Sequence, residues 1–572
     1  MHERPWHCRY DEGVPTTLAP YPERTLLDYV SETAREHPQH PAILFKGATL
    51  TAGRLERLSN AFAAALVNMG VRKGDRVALL LPNCPQFVIA ELGAWKAGAV
   101  IAPLNPLYGE EELATLLAKT GAETIVTLTP FYVRVKTVQR QTAVRRVIAT
   151  SVKEYLPPVL RVLFTLARER REGHRIALEP GDVWLRDLIE AHLEAMRPDV
   201  AVTPDDAATL LPSGGTTGTP KSAVGTHHAA VISGEQLAAW LGETYAEGDV
   251  MLLPLPLFHI YGLNLVQSIA LMRRLPLALI PNPRDIDDVV ATIERVRPAY
   301  FSGVPSLFNA ILHHPRVRAG RADFSSIKLC FSGAAPLLVE TKHRFESLTG
   351  CRILEGYGMT ESQAANTVNP VRGMNKIGSA GLPLPDTDIR IVDTDDARRE
   401  LPPNGVGEIL LHCPQHMRGY WRDPEETCAT LRTGDDGRAW IHTGDLGYLD
   451  DDGYLFIVDR KKDLIKIGGF QVWPREIEEV IAAHPAVAEV GVAAVPDDER
   501  GEIAKAWIVP HPGHQPSADE IRAHCRAHLV PYKVPSAIAF RDELPKTMVG
   551  KVLRRKLVES ETAETAGVRG EG

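Results

Sequence analysis

Clustered cysteine is missing from this 572-residue chain. Cys8, Cys84, Cys330, Cys351, Cys413, Cys428 and Cys525 are scattered, with no CxxC pair and no Cys/His group at zinc spacing. That argues against a structural zinc module or a disulfide framework and leaves reduced thiols as the expectation. Positive charge is also short, with 64 Lys and Arg against 72 Asp and Glu and a formal net charge of -8. Nucleic acid is therefore not an expected partner, because gripping a phosphate backbone needs clustered cations. Long apolar runs are absent too. The N-terminus (MHERPWHCRYDEG) is polar and has no signal-peptide core, so a cytoplasmic protein is expected. Residues 251–272 carry no Lys, Arg, Asp or Glu, but Pro254 and Pro256 would break a spanning helix. The stretch reads as a buried strand, a loop and a core helix.

What is present is an alternation of short apolar runs with amphipathic stretches. Residues 77–81, 100–103, 124–128, 209–211, 251–255, 277–280 and 328–331 read as buried strands, and 54–69 and 286–295 as helices. The pattern predicts an α/β fold with parallel-rich sheets. From about residue 386 the texture changes. Residues 389–392, 408–412 and 447–458 read as short strands, with a hairpin turn at 450–453 (DDDG). The last part reads as a small α+β unit. A helix starts at Pro474, strands follow at 487–495 and 503–509, and Ser517 with Glu520 forms a capping box before a helix ending near Leu529. The expected organisation is a large N-terminal domain over 1–461, with a β-rich subdomain at about 386–461, and a mobile C-terminal domain over 462–572.

Residues 152–175 (VKEYLPPVLRVLFTLARERREGHR) stand apart, an apolar half followed by Arg168, Arg170, Arg171, His174 and Arg175. The expected arrangement is a surface helix packed on its own domain; the competing reading is peripheral contact with a membrane surface.

Residues 211–221 (LPSGGTTGTPK) follow a predicted strand. Gly214, Gly215 and Gly218 let backbone approach a polyanion, Ser213, Thr216, Thr217 and Thr219 offer hydroxyls, and Lys221 supplies a cation. It is not a Walker loop, since Pro220 precedes the lysine. A flexible linker would need neither the closing Pro-Lys nor the strand feeding it.

The loop resembles the phosphate loop of the adenylate-forming superfamily, which holds acyl-CoA synthetases, luciferases and the adenylation domains of peptide synthetases. Further motifs follow in that family's order, from about Thr25 to Leu557. Residues 332–337 (SGAAPL) resemble its adenine-side loop, which implies nucleotide contacts for Gly333, Ala334 and Ala335, with Gly333 also facing substrate. Residues 355–361 (EGYGMTE) resemble its best-known signature. The resemblance implies adenine stacking by Tyr357, an α-phosphate hydrogen bond from Thr360 and Mg²⁺ ligation by Glu361, with Thr216 as a second metal contact. Glu355, Gly356, Gly358 and Met359 complete the nucleotide set. Each role suits its side chain: a flat aromatic fits a purine face, and a hard cation wants carboxylate oxygen.

By the same resemblance Asp445, in 440–446 (WIHTGDL), holds the ribose hydroxyls, Arg460 touches ribose or phosphate, and Lys462 is a hinge. Lys551, in 545–557 (PKTMVGKVLRRKL), bridges the acyl carboxylate and the α-phosphate, where a cation offsets charge building on phosphorus. Lys466, with Gly468, Gly469 and Gln471, belongs to the loop that serves the second step. His259, in 256–262 (PLFHIYG), and Val304 line the acyl side. Two positions depart from the family: Pro212 where it usually has Tyr or Phe, and Ser222 where it usually has Gly. Neither removes a phosphate ligand.

The implied reaction is acid activation by ATP with Mg²⁺, then transfer to coenzyme A, through two positions of the C-terminal domain. The segment 152–175 resembles an insertion in bacterial long-chain fatty acid–CoA ligases, so a long-chain fatty acid is the expected substrate. A medium-chain or aryl acid and transfer to a carrier-protein thiol stay as alternatives, and a homodimer stays open. A degenerate, non-enzymatic scaffold is disfavoured because Lys221, Glu361, Asp445, Arg460, Lys466 and Lys551 are all present.

Overall fold

The computed structural model describes residues 4–213, 220–246, 248–467, 470–497, 501–547 and 551–560. The chain divides into two units. One comprises Trp6–Asp388 and Leu411–Ile441; the other comprises Met1–Pro5, Ile389–Leu410 and His442–Gly572.

The first unit carries two large sheets. A nine-stranded sheet runs in the order Leu382–Pro383, Ala364–Val368, Arg352–Met359, Leu329–Ser332, Tyr300–Gly303, Met251–Leu253, Leu277–Leu279, Pro41–Phe45, Ala48–Thr51. Its central strands pair in parallel, and antiparallel strands close both edges. A seven-stranded sheet runs Val183–Trp184, Arg146–Thr150, Thr124–Leu128, Arg76–Leu80, Val100–Pro103, Ala207–Ser213, Lys221–Thr226. It is parallel except for the last pair. Strands such as Thr124–Leu128 (TIVTL) are uncharged throughout because helices cover both faces of a parallel sheet, and every residue of this one is buried. Helix Pro85–Lys96 is buried along its whole length, which is tolerable only because Lys96 Nζ finds Glu56 Oε2, Ser59 Oγ and Asn60 Oδ1, each at 2.7 Å.

The predicted strand, loop and helix across 251–272 are present, with one difference. The strand is Met251–Leu253, but the helix opens as a π-helix, Tyr261–Gln267, before the α-helix Ser268–Met272. Wide π turns cluster at functional sites because they re-aim side chains.

A further five-stranded sheet orders Asp388–Val392, Gly407–His412, Ala439–Leu449 and Leu431–Thr433, with Leu455–Arg460 also paired to Ala439–Leu449. The turn at 450–453 closes that hairpin: Gly453 N–H donates to the Asp450 carbonyl at 2.9 Å, with Gly453 at φ 83°. In the second unit another sheet runs Phe470–Val472, Ile465–Ile467, Gly501–Pro510, Val487–Asp497, with Ala537–Phe540 on Gly501–Pro510. Helices Pro474–Ala482 and Ala518–His528 contribute Ile477, Ile481, Ile521 and Cys525 to the core of that region. The capping box forms as read: Ser517 Oγ accepts from Glu520 N–H at 3.2 Å, and Ser517 N–H donates to Glu520 Oε2 at 3.3 Å.

The segment 152–175 corrects an expectation. Its helix, Pro158–Ala167, does not pack on its own domain: none of its residues is buried, and Val159 is 71% exposed and Leu166 80%. Phe164 reaches back, edge-on to the His174 ring at 5.0 Å, and Arg161 Nη2 donates to the Glu154 carbonyl at 2.9 Å. His174 leaves the basic run: it is buried, its Nδ1 lies 2.8 Å from Thr129 Oγ1, and burial lowers its pKa. No helix among the described residues is long and apolar enough to cross a membrane.

Candidate active site

Parallel strands present their carboxyl ends to one edge of a sheet, and side chains placed just beyond that edge share a crevice. Four neighbouring strands of the nine-stranded sheet do this here. Met251–Leu253 leads to His259; Tyr300–Gly303 leads to Val304; Leu329–Ser332 leads to Gly333, Ala334 and Ala335; Arg352–Met359 runs into Thr360 and Glu361. The register pairs Gly303 with Ser332 and Ser332 with Glu355, so the loops after Gly303 and Ser332 start level, while strand Arg352–Met359 runs past that line before reaching Thr360.

Local geometry explains the residue types. Ala334 sits at φ 67°, a left-handed conformation that a non-glycine residue adopts at a strain of order 1 kcal/mol or more. A side chain on Gly358 would place its Cβ 1.9 Å from the Ala364 carbonyl oxygen of the returning strand, so only glycine fits. The Thr360 carbonyl takes two bonds from Gln363, from its N–H at 3.1 Å and its Nε2 at 2.9 Å, which fixes the turn before Glu361. Glu361 is buried; its Oε1 accepts from the Tyr420 hydroxyl at 2.6 Å and its carbonyl from Met417 N–H at 2.8 Å. Burial lowers the His259 imidazole to about 4, so it is neutral at physiological pH, with Nδ1 accepting from Tyr261 N–H at 3.3 Å.

The phosphate loop joins the last strands of the seven-stranded sheet. Ser213 and Lys221 are register partners, so the loop closes a hairpin. Gly214, Gly215, Thr216, Thr217, Gly218 and Thr219 lie outside the described residues. Lys221 Nζ pairs with Glu426 Oε2 at 2.6 Å and lies 5.3 Å from the Tyr420 ring centre.

The second unit holds the other candidates. Asp445 and Arg460 face each other across a hairpin, and Arg460 Nε donates to Asp445 Oδ1 at 2.8 Å. Lys551 N–H donates to Thr547 Oγ1 at 3.1 Å. Burial first, then the nearby Arg460, lowers the Lys551 ammonium to about 8, while Asp445 and Asp463 oppose the shift. Lys462 lies in the turn 461–463, its pKa lowered chiefly by burial. Lys466, in strand Ile465–Ile467, is exposed, and its N–H donates to Glu502 Oε2 at 2.8 Å. Gly468 and Gly469 lie outside the described residues, as does the side chain of Gln471.

Residues 30–421 match the model of the AMP-binding enzyme family, and residues 476–551 match the AMP-binding enzyme C-terminal domain. The chain belongs to the AMP-binding enzyme family. It is 38% identical over 561 residues to the long-chain-fatty-acid–CoA ligase of Bacillus subtilis (strain 168), with 98% of each chain covered. It is 35% identical over 548 residues to 4-coumarate–CoA ligase 2 of Oryza sativa subsp. japonica, covering 93% of this chain and 91% of that one. Among solved structures it is similar to ATP-bound MatB from Rhodopseudomonas palustris, at 29% identity and TM-score 0.80, covering 94% of this chain and 99% of that one.

In this AMP-binding enzyme the structure adds residues that the sequence reading did not single out. Asn83, which follows strand Arg76–Leu80, donates to the carbonyls of Leu253 and Leu255 at 3.1 and 2.8 Å and accepts from Leu257 N–H at 2.8 Å. It fastens the segment leading to His259. An asparagine between apolar strand and proline was its only signal. Tyr420 and Glu426 were missed as well, lying some 200 residues from Lys221 in sequence and beside it in space.

Proposed function

We propose that the protein is a long-chain fatty acid–CoA ligase. It joins a fatty acid to AMP, releasing pyrophosphate, and transfers the acyl group to coenzyme A. The observation carrying this reading is the order along the strand ends: acyl-side candidates His259 and Val304, then the adenine-side loop, then Thr360 and Glu361. One row thus runs from acid to phosphate. The identity to the Bacillus subtilis ligase supports the substrate class.

The chemistry divides among named groups. Lys221 and the hydroxyls of its loop neutralise the phosphates. Thr360 donates to the α-phosphate, and Asp445 and Arg460 hold the ribose. The acid carboxylate attacks the α-phosphorus, pyrophosphate leaves, and Lys551 offsets the charge that builds there. A neutral His259 lets the acyl end stay apolar. In the second step the thiol of coenzyme A attacks the acyl carbonyl and AMP leaves, with the loop of Lys466, Gly468, Gly469 and Gln471 serving that step. Lys462 is the hinge at which residues 462–572 change position between steps. Mg²⁺ fits Glu361: a buried carboxylate with one oxygen anchored can give its other to a cation that the nucleotide's phosphates also hold. When bound, the ion supplies charge neutralisation at the phosphates.

The assay that tests the reading gives purified protein Mg-ATP, coenzyme A and acids from octanoate to octadecanoate, with 4-coumarate alongside. AMP release is expected to be greatest with the longest acids. Turnover of 4-coumarate alone would favour the aryl reading, which the rice relative supports; no AMP with any acid would sink both.

The exposed helix Pro158–Ala167 supplies peripheral membrane contact in this reading. Val159, Val162, Leu163 and Leu166 are each more than half exposed, and Arg161, Arg168, Arg170, Arg171 and Arg175 are exposed beside them. Apolar residues with adjacent cations suit an anionic bilayer surface. The protein is expected to float with phosphatidylglycerol-containing vesicles, less so at high salt. The pair Leu163→Asp and Leu166→Asp should weaken flotation at least about tenfold. Equal flotation of wild type and variant would remove the helix from this role.

A further inference from the structure

One chain segment ties together two candidates that lie on different sheets. Residues 417–421 run alongside strand Lys221–Thr226. Arg418 N–H donates to the Val224 carbonyl at 3.0 Å, Val224 N–H to that of Gly419 at 2.9 Å, and Trp421 N–H to that of Ser222 at 2.8 Å. Ala223, Met417 and Tyr420 pack together, all buried. The strand is the one that opens with Lys221, so the segment is rigidly attached to the exit of the phosphate loop.

Tyr420 points in both directions from that seam. Its hydroxyl donates to Glu361 Oε1 at 2.6 Å, while its ring lies beneath Lys221 Nζ at 5.3 Å. Its backbone is held independently: Tyr420 N–H donates to Thr427 Oγ1 at 2.8 Å, and Thr427 Oγ1 donates to the Asp423 carbonyl at 2.7 Å. A side chain needed only to fill space would not need its one polar atom on the carboxylate assigned to the metal and its π face on the cation assigned to the phosphates.

We propose that Tyr420 is a positioning residue that sets the Glu361 carboxylate for a divalent cation and fixes its placement relative to Lys221. The inference rests on the ligase reading above, which gives Glu361 and Lys221 their partners. One carboxylate oxygen is occupied by the phenol, so the other is turned to the cation in one orientation. Without the phenol the carboxylate can rotate or swing, and the cation loses a prepaid ligand geometry. The ring face keeps the ammonium of Lys221 close, so cation and ammonium meet the same phosphate chain at a set separation.

The test is Tyr420→Phe, which keeps the ring and removes the hydroxyl. Mn²⁺ is titrated into enzyme saturated with α,β-methylene ATP, and the free-ion paramagnetic resonance signal is followed. The half-saturating Mn²⁺ concentration is expected to rise about tenfold, in line with losing one hydrogen bond to a charged group. Binding of the same nucleotide in EDTA should stay within about twofold, since the ring beneath Lys221 remains. In a Glu361→Gln background the added Tyr420→Phe change should have no further effect on Mn²⁺. Unchanged Mn²⁺ affinity in Tyr420→Phe overturns the proposal. So does an equal loss of metal-free nucleotide binding, which marks a general packing defect, or full additivity with Glu361→Gln. Wild-type enzyme that binds neither the nucleotide nor Mn²⁺ with it would instead overturn the ligase reading itself.

Discussion

Lys551→Ala is expected to slow acyl-adenylate formation by about 10³-fold, the scale of removing one preorganised charge at a developing anion. The attack of coenzyme A on pre-formed acyl adenylate should fall by no more than about threefold, because the function proposed above assigns that step to the Lys466 loop. The two half-reactions are read separately, as ATP–pyrophosphate exchange and as release of AMP from synthetic acyl adenylate. Near-normal exchange, or an equal loss in both, would remove Lys551 from its role. A pH signature follows from its surroundings. Burial and Arg460 hold its ammonium down at about 8, below the usual lysine value of about 10.4. Lys551 is therefore charged below about 8 and loses its proton as pH rises through that value, so kcat/KM for ATP should fall on the alkaline side. Lys551→Arg keeps the charge and should flatten that limb. The stability effect has the opposite sign. Between about 8 and 10.4 the folded chain holds fewer protons at this site than the unfolded chain, so this group adds stability as pH rises there.

Arg554→Ala is expected to destabilise the second unit by about 3–5 kcal/mol, which corresponds to roughly 10 °C in its melting transition. Arg554 stands three residues beyond Lys551 and is a hub of charge. Its Nη1 reaches Asp459 Oδ1 at 3.0 Å and Asp463 Oδ2 at 2.9 Å, while Nη2 and Nε take both oxygens of Glu478 at 2.8 and 3.2 Å. Truncation leaves these carboxylates facing one another without a cation. Among them Glu478, a half-buried residue of helix Pro474–Ala482, already has its pKa raised by desolvation. Asp459 adjoins Arg460 in the strand, so the same change should also loosen the placement of Lys551 and cut adenylation. Arg554→Lys should restore only part of either loss, since one ammonium nitrogen cannot reach from a single point the carboxylate oxygens that the planar guanidinium meets with three separate nitrogens. Differential scanning calorimetry with the exchange assay checks both; a melting shift under about 2 °C would show the network contributes little.

Local signals were legible wherever they are satisfied within a few residues. The Ser517–Glu520 box, the turn at 450–453, Pro474 at a helix start and the uncharged strand 124–128 each declare themselves, because a cap, a tight turn or a two-sided burial restricts residue choice locally. The helix Pro158–Ala167 was misread in one respect. Amphipathic spacing says that a face wants cover but not that its own domain supplies it, and here the face stands open. His174 looked like one more cation of a basic run; only the fold shows that Thr129 and Phe164 enclose it.

The candidate site divides the same way. Loop chemistry pointed to Lys221, and the resemblance to the adenylate-forming superfamily nominated Glu361, Asp445 and Lys551 for metal, ribose and α-phosphate. Asn83, Tyr420 and Glu426 carry no such demand, and their meaning comes from neighbours up to some 200 residues away. The sequence by itself determined the α/β class and most element types, which follow from propensity and periodicity, and through its family resemblance it nominated the candidate reactive groups. Only the tertiary structure decided that His259, Val304, Gly333 and Thr360 end four adjacent parallel strands, and that one phenol stands between Glu361 and Lys221. Those relations depend on strand order and on packing between distant segments, and no short stretch of chain encodes either.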